Sequence, residues 1–260
     1  MASLRQGWNI QVRVIGALML RELTTRFGRE NIGFLWVMGE PLLFAVLVGV
    51  LWRGLKGPFE FGLDIVAFVV TGYLPLVMFR SAVNRGVKTF TVNGSLMYHR
   101  QVKILDLLLV RFIIEVIGHA MAYVFIALLL GVFGFFPQPY DLGFLLLGGF
   151  YYALFTFSIM LIVAPLSEVS EVIEKIIPVT TYLMIPFSGA FYLMSTLSPE
   201  ARNVLLYSPP VHGMEMMRYG VFGPTVDPYF EYGYPIAFCL PCIAVGLVLC
   251  RLIRKNLVIE

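Results

Sequence analysis

Residues 104–133 read ILDLLLVRFIIEVIGHAMAYVFIALLLGVF. A helix needs about 20 apolar residues to cross the hydrocarbon core of a bilayer. This run exceeds that length, which predicts tilt or an extension beyond the lipid. Outward from it, hydropathy marks five more spans: Ile32–Trp52, Ile65–Phe79, Leu142–Pro165, Val172–Met194 and Tyr234–Ile253. Pro137-Gln138-Pro139 makes the turn before the fourth span, and Pro178 and Pro186 predict kinks in the fifth. The whole chain agrees. Of 260 residues, 59% are hydrophobic and 13% charged, against about 25% charged in an average globular chain. Mean hydropathy is +0.84. That leaves too little polar surface to coat a water-soluble core, excluding a soluble enzyme, a nucleic-acid binder and a disordered tail. The three cysteines, without regular spacing, also exclude a secreted disulfide scaffold. The expected fold class is an all-α integral membrane protein with six transmembrane helices.

The first residues do not read as a signal peptide, because Arg5, Arg13, Arg21, Arg26 and Arg29 interrupt the apolar ones. Val12, Ile15, Met19, Leu23 and Phe27 recur at steps of three and four, predicting an amphipathic helix over residues 1–30 that lies in the membrane interface. Arg26 falls on its apolar side, where snorkelling is the expected repair. Lys/Arg asymmetry sets the topology. The N-terminal segment, the 80–103 loop, Lys175 and the tail hold fourteen basic residues, against four in the opposite loops. Both termini are therefore expected in the cytoplasm. The loop around Lys175 fits poorly, since it carries Glu168, Glu171 and Glu174. Between the spans, residues 81–103 form a polar, basic cytoplasmic stretch. Residues 197–233 form a longer outer segment whose apolar pieces, Asn203–Tyr207 and Val211–Val221, are too short to cross.

There is no G-x-x-x-x-G-K-[ST] loop, H-E-x-x-H or G-x-S-x-G, so ATP hydrolysis and metal or serine hydrolysis are not expected of this chain. Cys239-Leu-Pro-Cys242 has the spacing of a thiol redox centre, or the cysteines simply fill gaps in the last span. Glu40, Arg111, Glu115 and His119 fall inside apolar spans, where charge is costly and faces protein or a wet cavity. Arg111 and Glu115, at i and i+4, suggest an intrahelical pair, with His119 continuing that face; a lining for a polar substrate is the alternative. Tyr151, Tyr152, Phe155, Tyr182, Phe187 and Phe191 are candidates to line a path for a sliding glycan, with core packing as the competing account.

Leu20-Arg21-Glu22, Thr25-Arg26-Phe27-Gly28, Gly33-Phe34-Leu35-Trp36 and Glu40-Pro41 form a block. It resembles the start of ABC-2-type permeases that export surface polysaccharides. Tyr98-His99-Arg100-Gln101-Val102-Lys103 and Ser208-Pro209-Pro210-Val211-His212, followed by Glu215 and Arg218, sharpen the resemblance towards the permeases of capsular polysaccharide export, the Kps type. Pro210 departs from the pattern, where a less rigid residue is expected.

The resemblance implies a homodimer of six-span subunits with a channel between them, forming one transmembrane domain over residues 1–260. A cytoplasmic ATPase dimer would bind ATP and Mg, leaving no cofactor or metal in this chain. A periplasmic adaptor or copolymerase and an outer-membrane channel would continue the path of a glycolipid-linked polymer. Residues 81–103 match a coupling loop, with Arg85, Lys88, Tyr98, Arg100 and Lys103 expected to face the ATPase. Residues 197–233 match paired re-entrant helices at the exit; there, the i, i+3 and i+6 spacing of His212, Glu215 and Arg218 predicts that successive side chains pair. Arg26, Arg29, Trp36 and Glu40 are the expected entry. O-antigen or teichoic-type export is the nearest alternative; an intramembrane thiol oxidoreductase is a distant one.

Overall fold

The computed structural model describes residues 4–27, 32–57, 59–60, 62–97 and 101–257, and among these it is helical apart from one short hairpin. In order come α1 (Leu4–Phe27), α2 (Ile32–Lys56), β1 (Phe59–Glu60), β2 (Leu63–Asp64), α3 (Ile65–Gly86), α4 (Thr89–Val92), α5 (Gly94–Met97) and α6 (Ile104–Val132). They are followed by α7 (Leu142–Val169), α8 (Glu171–Leu183), α9 (Pro199–Leu205), α10 (Pro209–Phe222) and α11 (Gly233–Leu257). The strands β1 and β2 pair antiparallel, Phe59 opposite Asp64.

Among the described residues, α3, α6, α7 and the 233–254 stretch of α11 are long and apolar enough to cross a membrane. Their starts are chemically marked. Asp64 accepts from Val66 N at 2.8 Å and Ala67 N at 3.3 Å to cap α3. Asp141 does the same for α7 through Gly143 N at 2.7 Å. These bonds satisfy donors that a helix start leaves free. Helix α3 runs on to Gly86, so Arg80, Ser81 and Arg85 are helical and the polar connection is shorter than its sequence suggests.

The expected fifth span, Val172–Met194, is not one helix. Helix α8 stops at Leu183, and Pro186 sits in a 3₁₀ turn at Ile185–Phe187. Its 13 residues reach only about 20 Å. Pro178 is accommodated within α8.

Helix α3 is buried along most of its length and holds the bundle together. Helix α10 packs antiparallel on the first half of α7, and glycine makes this approach possible. A Cβ on Gly148 would lie 2.5 Å from the Gly213 carbonyl oxygen, and one on Gly220 2.4 Å from Leu145 N. Helix α11 packs along the rest of α7, with Gly246 against Leu161. Helix α1 lies on α6, where Leu18, Val14, Ile15, Met19 and Leu23 meet Leu107, Val110 and Ile114. The apolar stripe thus faces protein, and Val12, at its expected edge, is exposed.

Candidate functional site

Helix α1 is tied to the bundle by a ladder of polar contacts. Gln11 donates to Asp106, and Arg21 Nη1 donates to Asn93 Oδ1 at 3.0 Å. Arg111 Nε pairs with Glu22 at 3.4 Å. Arg26 Nη1 reaches Glu115 Oε1 at 2.5 Å. Fully buried Glu115 is the hub of this ladder. Its Oε2 also accepts from Ser81 Oγ at 2.5 Å, and Arg85 Nε forms an ion pair with Oε1 at 2.5 Å. His119 Nδ1 donates to the Glu115 carbonyl at 2.9 Å.

Two expectations are corrected here. Arg111 and Glu115 do not pair with each other along α6; each takes its main partner from α1. Arg26 does not snorkel but turns into protein, because a buried carboxylate stands opposite it. Arg29 lies outside the described residues, as does the side chain of Trp36, whose backbone is in α2. Glu40 is exposed on α2.

The polar connection after α3 is held from two sides. Arg111 Nη1 donates to the Arg85 carbonyl at 2.7 Å and to Thr89 Oγ1 at 2.9 Å. From the end of α7, Glu168 Oε1 accepts from Phe90 N at 2.8 Å and Thr91 N at 3.2 Å, while Oε2 accepts from Thr91 Oγ1 at 2.5 Å. Lys88, in a left-handed conformation, donates its N–H to Ser167 Oγ at 3.0 Å and faces Glu174 with its ammonium at 3.8 Å. Of the candidate coupling residues, Arg85 turns inward to Glu115 and Lys103 is exposed at the start of α6. Tyr98 and Arg100 lie outside the described residues. Sequence reasoning missed Glu168 as a clamp. Its signal was the cluster of acids that broke the basic pattern of the cytoplasmic loops.

His212, Glu215 and Arg218 are buried on α10, but they do not pair with one another as expected from their spacing. Instead they bond the backbone of the flanking loops. Glu231 N donates to His212 Nδ1 at 2.9 Å, so the ring proton is on Nε2, which donates to the Leu206 carbonyl at 2.8 Å. Glu215 accepts from Met194 N and Tyr229 N, each at 3.4 Å. Arg218 donates to the carbonyls of Gly189 at 2.7 Å, Ala190 at 2.6 Å and Tyr192, and lies 4.2 Å above the Phe68 ring. Gly72 opens the space for this loop, since a Cβ there would meet the Ala190 carbonyl oxygen at 1.9 Å. Backbone groups left unpaired by the break after α8 are thus met by charged side chains of α10.

The aromatic candidates divide. Tyr151, Tyr152 and Phe155 are buried inside the bundle, as the core-packing account has them and not as an open lining. The Tyr151 hydroxyl bonds the Tyr232 carbonyl at 3.1 Å, and Phe155 stacks on Phe79 at 5.6 Å. Tyr182 and Phe187 are exposed, and Phe191 is half-buried near Trp52. The three cysteines are free, with Cys239 and Cys250 buried.

A family model described as ABC-2 type transporter matches residues 13–222. The capsule polysaccharide export inner-membrane protein BexB of Haemophilus influenzae is 36% identical over 255 residues, covering 98% of this chain and 96% of that protein. CtrC of Neisseria meningitidis serogroup B, a protein of the same description, is 38% identical over 247 residues, with coverage of 95% and 93%. The polysialic acid transport protein KpsM of Escherichia coli is 24% identical over 252 residues, with coverage of 95% and 96%.

Proposed function

The chain belongs to the ABC-2 type transporter family, and on that premise we propose that it is the permease subunit of a capsular polysaccharide exporter in the bacterial inner membrane. The observation that carries this reading is similarity along nearly the whole of both chains to capsule polysaccharide export inner-membrane proteins. The driving force comes from a separate ATPase dimer, which carries the P-loops and binds ATP and Mg. The permease works as a homodimer of six-span subunits, both termini in the cytoplasm, and passes a glycolipid-linked polymer to a periplasmic adaptor and an outer-membrane channel.

The geometry supports a division of labour within the subunit. The 88–97 segment is the coupling element. Its attachment to α7 through Glu168 and to α6 through Arg111 gives a push at this segment a rigid route into both helices. Entry lies along α1 and the start of α2, around Arg29, Trp36 and Glu40, while Arg26 holds α1 to Glu115 behind it. Basic residues near headgroups each attract anionic lipid by about 1 kcal/mol. The exit lies at 197–233, where α9 and α10 form a re-entrant pair. In support, Gly213 touches Tyr152, some ten residues into α7 and so about 15 Å from its Asp141 end. That is half the roughly 30 Å hydrocarbon thickness. Helix α10 climbs from there to Gly220 beside Asp141.

Affinity purification from membranes tests the reading. A stoichiometric P-loop ATPase should accompany the chain, and cells depleted of the chain should lose surface glycan. A chain that purifies without an ATPase, from cells whose surface glycan survives depletion, contradicts it.

A further inference from the structure

Arg80 lies within the apolar span of α3, yet among the described residues it has no carboxylate or carbonyl partner. Its guanidinium carbon sits 3.7 Å from the centroid of the Tyr182 ring on α8. Its Nε is buried without a hydrogen-bond partner, and so is Oδ1 of Asn84, one helical turn further along the same face. The contrast with the other buried or half-buried arginines of the bundle lies in their partners, not in Nε, which is also without a hydrogen bond in Arg85 and Arg218. Arg26, Arg85 and Arg111 reach carboxylates, and Arg218 reaches three carbonyls. A charge inside a membrane helix is costly, as is a buried donor with nothing to bond.

Aromatic residues of α2, α3 and α8 lie nearby, Tyr73 buried and Tyr182 exposed. Tyr73, two turns before Arg80 on α3, stacks on Phe44 of α2 at 3.8 Å. Tyr182 is 55% exposed, so the platform under the guanidinium opens outward.

We propose that Arg80, held flat on the exposed Tyr182 ring, binds an anionic group of the exported glycan. A guanidinium is planar and cannot lose its charge, which suits it to carboxylate or phosphate. The exposed Tyr182 ring beside it gives the apolar face of a sugar a surface to rest on. The inference rests on the export reading above and assigns recognition of the polymer's negative charge to this residue.

The test uses the complete transporter with its ATPase in nanodiscs of phosphatidylcholine. Binding is measured for an oligomer of sialic acid, which carries carboxylates and hydroxyls, and for a dextran of equal length, which carries hydroxyls only. Unaltered transporter should prefer the acidic oligomer by about tenfold, the scale of one charge-assisted hydrogen bond. Arg80→Gln should remove that preference while leaving dextran binding unchanged. Arg80→Lys, which keeps the charge but loses the plane, should retain part of it. Equal binding of both oligomers by the unaltered protein, or a preference that survives in Arg80→Gln, overturns the assignment and leaves the export reading intact. Failure of either glycan to bind, together with normal surface glycan in depleted cells, overturns the export reading itself. Repeating the measurement with added phosphatidylglycerol separates the two sources of an anion. If Arg80→Gln changes binding of that lipid but not of the acidic oligomer, the ligand is a headgroup phosphate and the glycan assignment falls.

Discussion

Glu115 shows how far a single position could be read. Its place in an apolar run marks it as a paired residue, and the i, i+4 spacing to Arg111 supplies a partner within α6. The actual partners, Arg26 and Arg85, come from α1 and from the end of α3. Helical periodicity relates residues of one helix only, so contacts between elements were out of its reach. The arrangement makes a strong prediction. Glu115→Gln keeps the shape but leaves Arg26 facing a neutral amide. Breaking a buried ion pair from one side costs about 3–5 kcal/mol. The thermal unfolding midpoint in detergent should fall by several degrees, and Arg26→Gln added to Glu115→Gln should recover part of the loss. An unchanged midpoint would mean that the pair carries no net stability. Glu168 is different in kind, because it holds backbone donors of α4. Glu168→Ala should leave the protein folded while export falls relative to ATP hydrolysis, a ratio measurable in vesicles; a constant ratio argues against this clamp as a route for the push.

Among the elements, hydropathy found α2, α6, α7 and α11 with starts within a residue or two of those observed. It failed at the fifth span. A hydropathy window averages over Pro186 and cannot see that the helix ends at Leu183, before a 3₁₀ turn. Proline alone does not decide the outcome either, since Pro165 and Pro178 lie inside helices. The short helix α10 was legible as an apolar piece, but its seat on α7 was not. That seat depends on three glycines, Gly148, Gly213 and Gly220, which sequence alone does not pair. Gly213→Val would drive a branched side chain into the backbone of α7. Overpacking of this kind costs about 1–3 kcal/mol or more. The variant should lose export and melt at lower temperature, whereas Gly149→Val, where no atom stands within 4 Å, should be tolerated.

For the molecule as a whole, the topology rests on the distribution of charge, and the outer segment can be tested directly. In a variant lacking Cys239, Cys242 and Cys250, single cysteines report access to an impermeant thiol reagent. Met217 is a poor probe, because it is buried against α7 and would be protected by protein alone. Val204 and Tyr207 are exposed on the subunit. If the segment re-enters the membrane, both should resist the reagent while Asp227 is labelled from outside; free labelling of Val204 would place α9 in water. The most direct measurement of the central claim is transport itself. The chain and its ATPase are reconstituted in vesicles with the ATP-binding face outward, and glycolipid-linked capsular polymer is added outside. ATP should move the polymer into the lumen, where it resists an added glycan hydrolase. Polymer that stays fully digestible after sustained ATP hydrolysis would contradict the assignment of this chain as an export permease.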